Sequence, residues 1–360
     1  MSTDTLLSTG LGTLTDQLFV YASRNCEPLN CVDLAGRADG IIFTQRDRAL
    51  LAGAREQGYS GPALLDPALY EKREGPANVV VQTLGGQRES VTIQEQLKVH
   101  AYLSDSGFVT SGDPQILAAV ISEGAEFCRD AAAATHQAPA FIVLPIGSSW
   151  LTSMTDRKKL VTQARSAGFP VALVLCGRYD VLNSRNAVEG LVDVVTSVPD
   201  IFMLRVDLSA IGAISVGALC AGIGVGTATR HCLPSFMARR GSAAADPSPS
   251  TLWTPGGAFF RGSKFEHARN HQGMLGCTCP VCAGRDLGRF VDSSWQSESR
   301  GHSVCGWYGI AQAVIRSESP RADAWKAICR RQLDELKLLR RITGVDFDAP
   351  GSVQHWIDAL

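Results

Sequence analysis

Three thiols in Cys277-Thr278-Cys279-Pro280-Val281-Cys282, with His302 downstream, make up the donor set of a tetrahedral zinc site. Cysteines one residue apart pair only with strain, because a disulfide demands particular Cα and Cβ separations. Zinc tolerates the same spacing, taking sulfur at about 2.3 Å and imidazole nitrogen at about 2.0–2.1 Å. Three sulfurs and one nitrogen close the sphere and leave no position for water. Such an ion holds structure and does no chemistry itself. Cys305, nearly one turn after His302, is an alternative fourth ligand. Chance clustering of reduced cysteines is the competing reading.

Carboxylates are the second set of reactive candidates. Asp66 (in LLDP), Asp105 (in LSDSG) and Asp207 (in MLRVDLS) each follow a short apolar run. At the C-terminal end of a barrel strand, an aspartate can be a nucleophile or a base. It can equally cap a helix by accepting backbone N–H groups. Asp207 ends the best-formed apolar run of the later half. The turn Ser104-Asp105-Ser106-Gly107 would present its carboxylate to the same end. The third set is Gly222-Ile223-Gly224-Val225-Gly226-Thr227-Ala228-Thr229-Arg230-His231. Glycines after a late strand let backbone approach a flat base or a phosphate, and Arg230 adds a bidentate donor. Close helix–sheet packing explains the glycines about as well. Basic residues follow at Arg239, Arg240, Arg261, Lys264, Arg269, Arg285 and Arg289, and again at Arg330, Arg331, Lys337, Arg340 and Arg341. They fit phosphate contacts or a solvated helix face.

These residues need a scaffold, and the apolar pattern supplies one. Short runs at 40–44, 63–66, 107–110, 140–145, 171–176, 201–207 and 221–226 alternate with helix-like segments such as 113–134, 156–167 and 186–197. Runs rich in Val, Ile and Leu without polar alternation suit strands buried on both faces of a parallel sheet. Seven runs, with an eighth at 18–21 or 258–260, predict a (β/α)8 barrel of the α/β class. An open doubly wound sheet is the runner-up, weakened by the lack of an early G-x-G-x-x-G. The small, proline-rich stretch 241–257 reads as a flexible loop or lid. The expected organisation is therefore most of the barrel in 1–240, the loop, the last barrel elements with a zinc subdomain in 258–317, and a C-terminal helical segment in 318–360. His302 is expected to open a helix, and Ser319-Pro320 to cap another running to Arg341.

Composition narrows the class. The chain has 360 residues, 45% hydrophobic, with a formal net charge of −1. That argues against whole-surface binding of nucleic acid but permits a local basic face. No apolar stretch reaches the roughly 18 residues of a membrane span, and the first residues lack the pattern of a signal peptide. Eleven cysteines, an odd and scattered number, suit a reducing cytoplasm.

A probable barrel followed by C-x-C-x2-C and a histidine resembles the tRNA-guanine transglycosylase superfamily, whose barrel carries a zinc subdomain near its end. Asp105-Ser106-Gly107-Phe108 resembles a shortened form of that family's Asp-Ser-Gly-Gly-Phe-Gln motif, which implies an acid/base role for Asp105 and substrate contacts from Ser106 and Gly107. Gly224-Val225-Gly226-Thr227 is similar to its base-cradling glycines, implying substrate contacts from Gly222, Gly224, Gly226, Arg230 and His231. The Phe-Asp-Cys and Pro-Thr-Arg signature of the tRNA enzymes is absent, and Asp207 is left as the candidate nucleophile. Together these features look more like the divergent branch that inserts 7-deazaguanine bases such as preQ0 into DNA. The resemblance therefore implies a cytoplasmic transferase with structural Zn2+ at Cys277, Cys279, Cys282 and His302. It would exchange guanine for a 7-deazaguanine through an aspartyl-glycosyl intermediate, on DNA in preference to tRNA. A non-catalytic nucleic-acid-binding paralogue is the alternative, and a homodimer or partner proteins are left open.

Overall fold

The computed structural model describes residues 10–22, 33–34, 36–72, 74, 86–110, 112–178, 180–235, 237 and 246–360. Eight parallel strands form one sheet: β1 (Leu18–Tyr21), β2 (Gly40–Thr44), β3 (Ala63–Asp66), β4 (Tyr102–Leu103), β5 (Ala140–Ile146), β6 (Val171–Leu175), β7 (Phe202–Val206) and β8 (Cys220–Gly224). Their order, β3-β2-β1-β8-β7-β6-β5-β4, is that of a barrel cut between β3 and β4. The cut is bridged by the His100 N–H, which donates to Ala63 O at 2.7 Å. The architecture is a nearly closed (β/α)8 barrel.

Side chains alternate across this wall as strand geometry requires. Phe19, Ile42, Leu64, Phe141, Val143, Ala172, Val174, Phe202 and Leu204 fill the interior. Leu18, Val20, Ile41, Ile142, Leu144, Leu173 and Ile223 face outward, into a larger core beneath the helices. Those helices are α1 (Arg48–Glu56), α2 (Gly86–Gln96), α3 (Pro114–Ala132), α4 (Met154–Ser166), α5 (Arg185–Ser197) and α6 (Ser209–Ser215). Their starts are chemically specified. Asp113 accepts the N–H groups of Gln115 and Ile116 ahead of Pro114, Ser153 caps α4 and Ser184 caps α5.

Three expectations need correction, and one open alternative is resolved. The run at 107–110 is not a strand, and β4 is the two-residue Tyr102–Leu103. Here side chains replace the ladder. Ser104 Oγ accepts from Val143 N at 2.9 Å and Ser106 Oγ donates to Val143 O at 2.8 Å, so the backbone is released from β5 and turns. The pairing resumes at Val109, whose N–H donates to Pro145 O at 2.8 Å. The eighth barrel strand is Leu18–Tyr21, whereas 258–260 lies in an antiparallel hairpin of β9 (Ser250–Trp253) and β10 (Ala258–Arg261). The second half of the expected loop is thus ordered structure: Ser248, Thr251 and Leu252 are fully buried. Residues 241–245 of that loop, and Arg239 and Arg240, lie outside the described residues. The hairpin turns through Gly257 at φ +56, where a Cβ would sit 2.1 Å from the Gln332 amide.

Finally, His302 does not open its helix. It lies within α7 (Gln296–Ile315), which begins six residues earlier. Two more helices follow, α8 (Arg321–Thr343) and α9 (Gly351–Ala359). On α8, Trp325, Leu336 and Leu339 are buried, while Arg330, Arg331, Lys337, Arg340 and Arg341 are exposed. Lys337 and Arg340 pair there with Asp334, Asp346 and Asp348, as on a solvated face. No helix among the described residues is long and apolar enough to cross a membrane.

Candidate metal centre and barrel-mouth pocket

The knuckle lies between the β9–β10 hairpin and α7, and α7 carries His302 back over it. His302 Nδ1 is 3.4, 3.5 and 3.3 Å from the Sγ atoms of Cys277, Cys279 and Cys282. All four donor atoms lie within 4.8 Å of one another. A tetrahedral ion bonded at about 2.3 Å to sulfur and about 2.1 Å to nitrogen spaces the two by roughly 3.6 Å, so the cluster matches a metal site. The tautomer is fixed as such a site needs, because Nε2 donates to Leu252 O at 2.7 Å and leaves Nδ1 as the lone-pair donor. That carbonyl belongs to β9, within the stretch read from sequence as a loop.

An outer layer supports the sulfurs. The Cys279 and Cys282 N–H groups point at the Sγ atoms of Cys277 and Cys279, at 3.5 and 3.4 Å. Arg289 donates to Cys282 Sγ at 3.1 Å and to Glu298 at 2.6 Å, and Arg285 also pairs with Glu298. Two arginines that the sequence offered as phosphate contacts are therefore committed to the knuckle. Cys305 is not part of the cluster; its sulfur takes a donor contact from Arg37 at 3.6 Å.

The C-terminal ends of the strands form the other site. In β7 a bulge breaks the register between Met203 and Val206, and Arg205 adopts φ +59. Val206 is thereby returned to the outer core, while Arg205 follows Leu204 into the interior. Its guanidinium bonds Glu71 and Ala228 O and lies over the rings of Tyr21 and Tyr70 at 5.7 and 5.9 Å. Both phenols donate to Asp66 Oδ2, and the Ala68 N–H donates to its other oxygen at 2.9 Å. Burial pushes the Asp66 carboxyl up, opposed by these hydroxyls and by Arg205. Asp66 is consumed by this buried network.

Asp105 follows β4. Burial pushes its carboxyl up to about 7 and the Asp66 charge adds to the shift, against the N–H groups of Leu69 and Ser106 and the charge of Lys72. Ser106 is buried with its hydroxyl on Val143 O, and Gly107 is buried beside it. Asp207 follows β7 and is partly exposed; its Oδ1 accepts the Ser209 N–H at 2.8 Å, ahead of α6. It caps, as the alternative reading had it, and it also lines a pocket.

That pocket is narrow, a cavity of about 20 Å³ with room for about one water, at the ends of β6, β7 and β8, bounded by Gly177, Asp180, Arg205, Asp207, Arg230 and His231 among others. Arg230 is 4% exposed, gives one N–H group to Ser250 Oγ at 2.8 Å, and stacks on Phe259 at 3.6 Å. Arg205 Nε and Arg230 Nη1 are buried with no hydrogen-bond partner among the described residues. Buried donors of this kind are rare in folded chains unless a ligand or water completes them. Asp180 was not singled out from sequence, since it lies in a polar loop five residues past β6. Burial raises its carboxyl, the Asp207 charge adds to this, and the Leu182 N–H, His231 and His355 pull the other way.

The glycines serve packing. A Cβ on Gly222 would lie 2.5 Å from Ile42 Cδ1 across the barrel interior, and one on Gly224 would meet Thr229 backbone at 2.2 Å. Gly226 donates its N–H to Thr229 Oγ1 at 2.9 Å, closing the turn that delivers Arg230 to the pocket, and His231 is exposed at its rim. The structure thus brings Asp207, Arg230 and His231 together and gives Asp105, Ser106 and Gly107 a different set of neighbours.

No family model matches the chain, and no curated protein matches it. Several solved structures are similar in outline. One is a Coccidioides immitis protein described as a fructose-1,6-biphosphate aldolase, with 9% identity, TM-score 0.38, and coverage of 86% of this chain and 98% of that one. Another is a FabK variant from Thermotoga maritima, with 13% identity, TM-score 0.35, and coverage of 87% and 97%. A psychrophilic glycoside hydrolase family 10 endo-beta-1,4-xylanase has 10% identity, TM-score 0.34, and coverage of 61% and 89%. Likeness this distant bears on neither substrate nor reaction.

Proposed function

We propose that this protein is a base-exchanging glycosyl transferase that acts on nucleic acid from the pocket at the ends of β6, β7 and β8. The observation that carries this reading is a partly exposed carboxylate, Asp207, lining a pocket with two buried guanidinium groups, each of which keeps one nitrogen without a partner among the described residues. In a (β/α)8 barrel this end of the strands is where reactive groups collect. A carboxylate beside a sugar suits chemistry at C1′, which passes through an oxocarbenium-like state that a negative charge stabilises. Asp207 Oδ2 attacks C1′ as the bond to guanine breaks, giving a covalent glycosyl ester. An incoming 7-deazaguanine reverses the step and frees the carboxylate. The departing base needs a proton and the incoming base must lose one. Two carboxyls at this end hold protons more tightly than an ordinary aspartate, Asp105 and Asp180. Arg205 and Arg230 supply donors to an acceptor oxygen of the substrate, either a base carbonyl or a phosphate.

Zinc is the metal that the three-cysteine, one-histidine donor set favours, and when bound it ties β9, the knuckle and α7 into one unit. Guanine as the leaving base, 7-deazaguanine as the entering one, and DNA before tRNA follow from the family resemblance. A flipped nucleotide is far larger than this cavity, so the loops around it must part to admit the base and sugar, and partner proteins or strand opening would assist. The test is incorporation of radiolabelled guanine or preQ0 into plasmid DNA and, in parallel, into unmodified tRNA, by wild type and Asp207→Ala. Label in DNA that is lost in the variant supports the reading. Label only in tRNA moves the substrate, and no label in either from folded, metal-loaded protein favours a binding paralogue.

A further inference from the structure

The pocket holds two carboxyls, and their surroundings differ. We infer that Asp180, in the loop after β6, is the proton-transferring catalytic residue that works with Asp207. The inference rests on the proposed base exchange and deepens it. Four observations support it. Asp180 and Asp207 line the same cavity, whereas Asp105 neighbours Asp66, Leu69 and Lys72. Asp207 is ordered by an N–H donor from Ser209 at 2.8 Å, and Asp180 by one from Leu182 at 2.9 Å, so each keeps one oxygen for substrate. The Asp207 charge adds to the effect of burial in raising the proton affinity of Asp180, as suits a general acid. Asp180 is partly exposed, so a substrate atom can reach it.

The charged groups that face Asp180 come from every side. Asp207 lies beyond β7, His231 beyond the turn after β8, and His355 on α9. Arg205 and Arg230 share the pocket walls. Burial raises the proton affinity of Asp180 and the Asp207 charge adds to this, while the Leu182 N–H, His231 and His355 oppose it. In the first half-reaction, Asp207 forms its bond to C1′ while the C1′–N9 bond breaks, and Asp180 gives its proton to the departing guanine. In the second half-reaction, Asp180 takes N9–H from the entering base as that nitrogen attacks C1′ and Asp207 leaves. No oxidant or further reactant is needed.

The experiment compares wild type, Asp180→Asn and Asp105→Asn in labelled-base exchange on plasmid DNA from pH 5 to 9, with circular dichroism to confirm folding. Asp180→Asn should lower kcat/KM by roughly 10²- to 10⁴-fold, the usual span for a lost general acid/base, and should remove one limb of the pH profile. On DNA containing N7-methylguanine, which departs without taking a proton, Asp180→Asn should form the covalent protein–DNA complex as fast as wild type. That rescue would not follow from a merely structural role. Exchange by Asp180→Asn within about threefold of wild type, with an unchanged profile, would overturn the assignment and leave base exchange standing. Loss of the limb in Asp105→Asn instead would move the role there. Wild type without exchange would remove the proposed function and this inference together.

Discussion

The metal cluster and the barrel-mouth pocket are both built from buried polar groups, but they spend those groups differently. At the cluster every donor is committed. Three sulfurs face Nδ1, Nε2 is held by Leu252 O, and Arg289 and two backbone N–H groups cover the sulfurs. At the pocket, Arg205 Nε and Arg230 Nη1 are left over. A saturated network stabilises a fold, and an unsaturated one in a cavity is open to a water or a ligand. The contrast separates structure from function within one chain and can be broken at either end.

Metal removal is the largest expected effect. Structural zinc contributes on the order of 10 kcal/mol to folding of small metal domains. Metal analysis should find one zinc per chain, and Cys282→Ser should lose it and unfold β9, the knuckle and α7 well below the wild-type melting temperature. Retention of cooperative melting in Cys282→Ser would make the cluster ornamental. Next is Asp207→Ala, where loss of a nucleophile should cost on the order of 10⁴-fold or more in exchange. The lost cap costs only about 1 kcal/mol of stability, which a denaturant titration would resolve.

Asp105 tests whether its raised proton affinity is structural. A carboxyl whose folded pKa is about 7, against 3.8 for an ordinary aspartate, binds its proton better when folded. Its contribution to stability is fully present below about pH 4 and is lost as pH rises through 7. Folding should weaken over that window by up to about 4 kcal/mol relative to Asp105→Asn, with solvent access reducing the figure. Equal pH slopes for the two proteins would show that the carboxyl is not buried in solution. The smallest effect comes from Gly222→Ala, at about 1–3 kcal/mol for overpacking against Ile42. Adding Ile42→Val removes the clashing Cδ1 and should restore most of it. A variant that folds normally yet loses substrate binding would return Gly222 to the ligand.

What could be read beforehand follows the same division. The cluster was visible in the sequence because its sulfurs come from one knuckle, and local spacing alone makes the chemistry. Strands β1, β2 and β3 were visible because an apolar run buried on both faces has few alternatives. Tyr102–Leu103 was not, since two residues carry no pattern and the hydroxyls of Ser104 and Ser106 do the work of the ladder. Arg205 was hidden for another reason. In alternation it belongs to the outer face, and only the bulge at φ +59 turns it inward. Ser250–Trp253 was obscured by its proline-rich setting, although its Leu252 carbonyl orients His302. Asp180 was missed because it lies in a polar loop, and its partners Asp207, His231 and His355 come together only through folding.

The most direct test is whether Asp207 becomes covalently bound to nucleic acid. Wild type mixed with plasmid DNA without an incoming base would be quenched in denaturant, digested with nuclease and mapped by peptide mass spectrometry. Base exchange at this pocket predicts a deoxyribosyl-nucleotide adduct on the peptide carrying Asp207, absent from Asp207→Ala and discharged by preQ0. An adduct on another residue, or exchange that proceeds unchanged in Asp207→Ala, would contradict it.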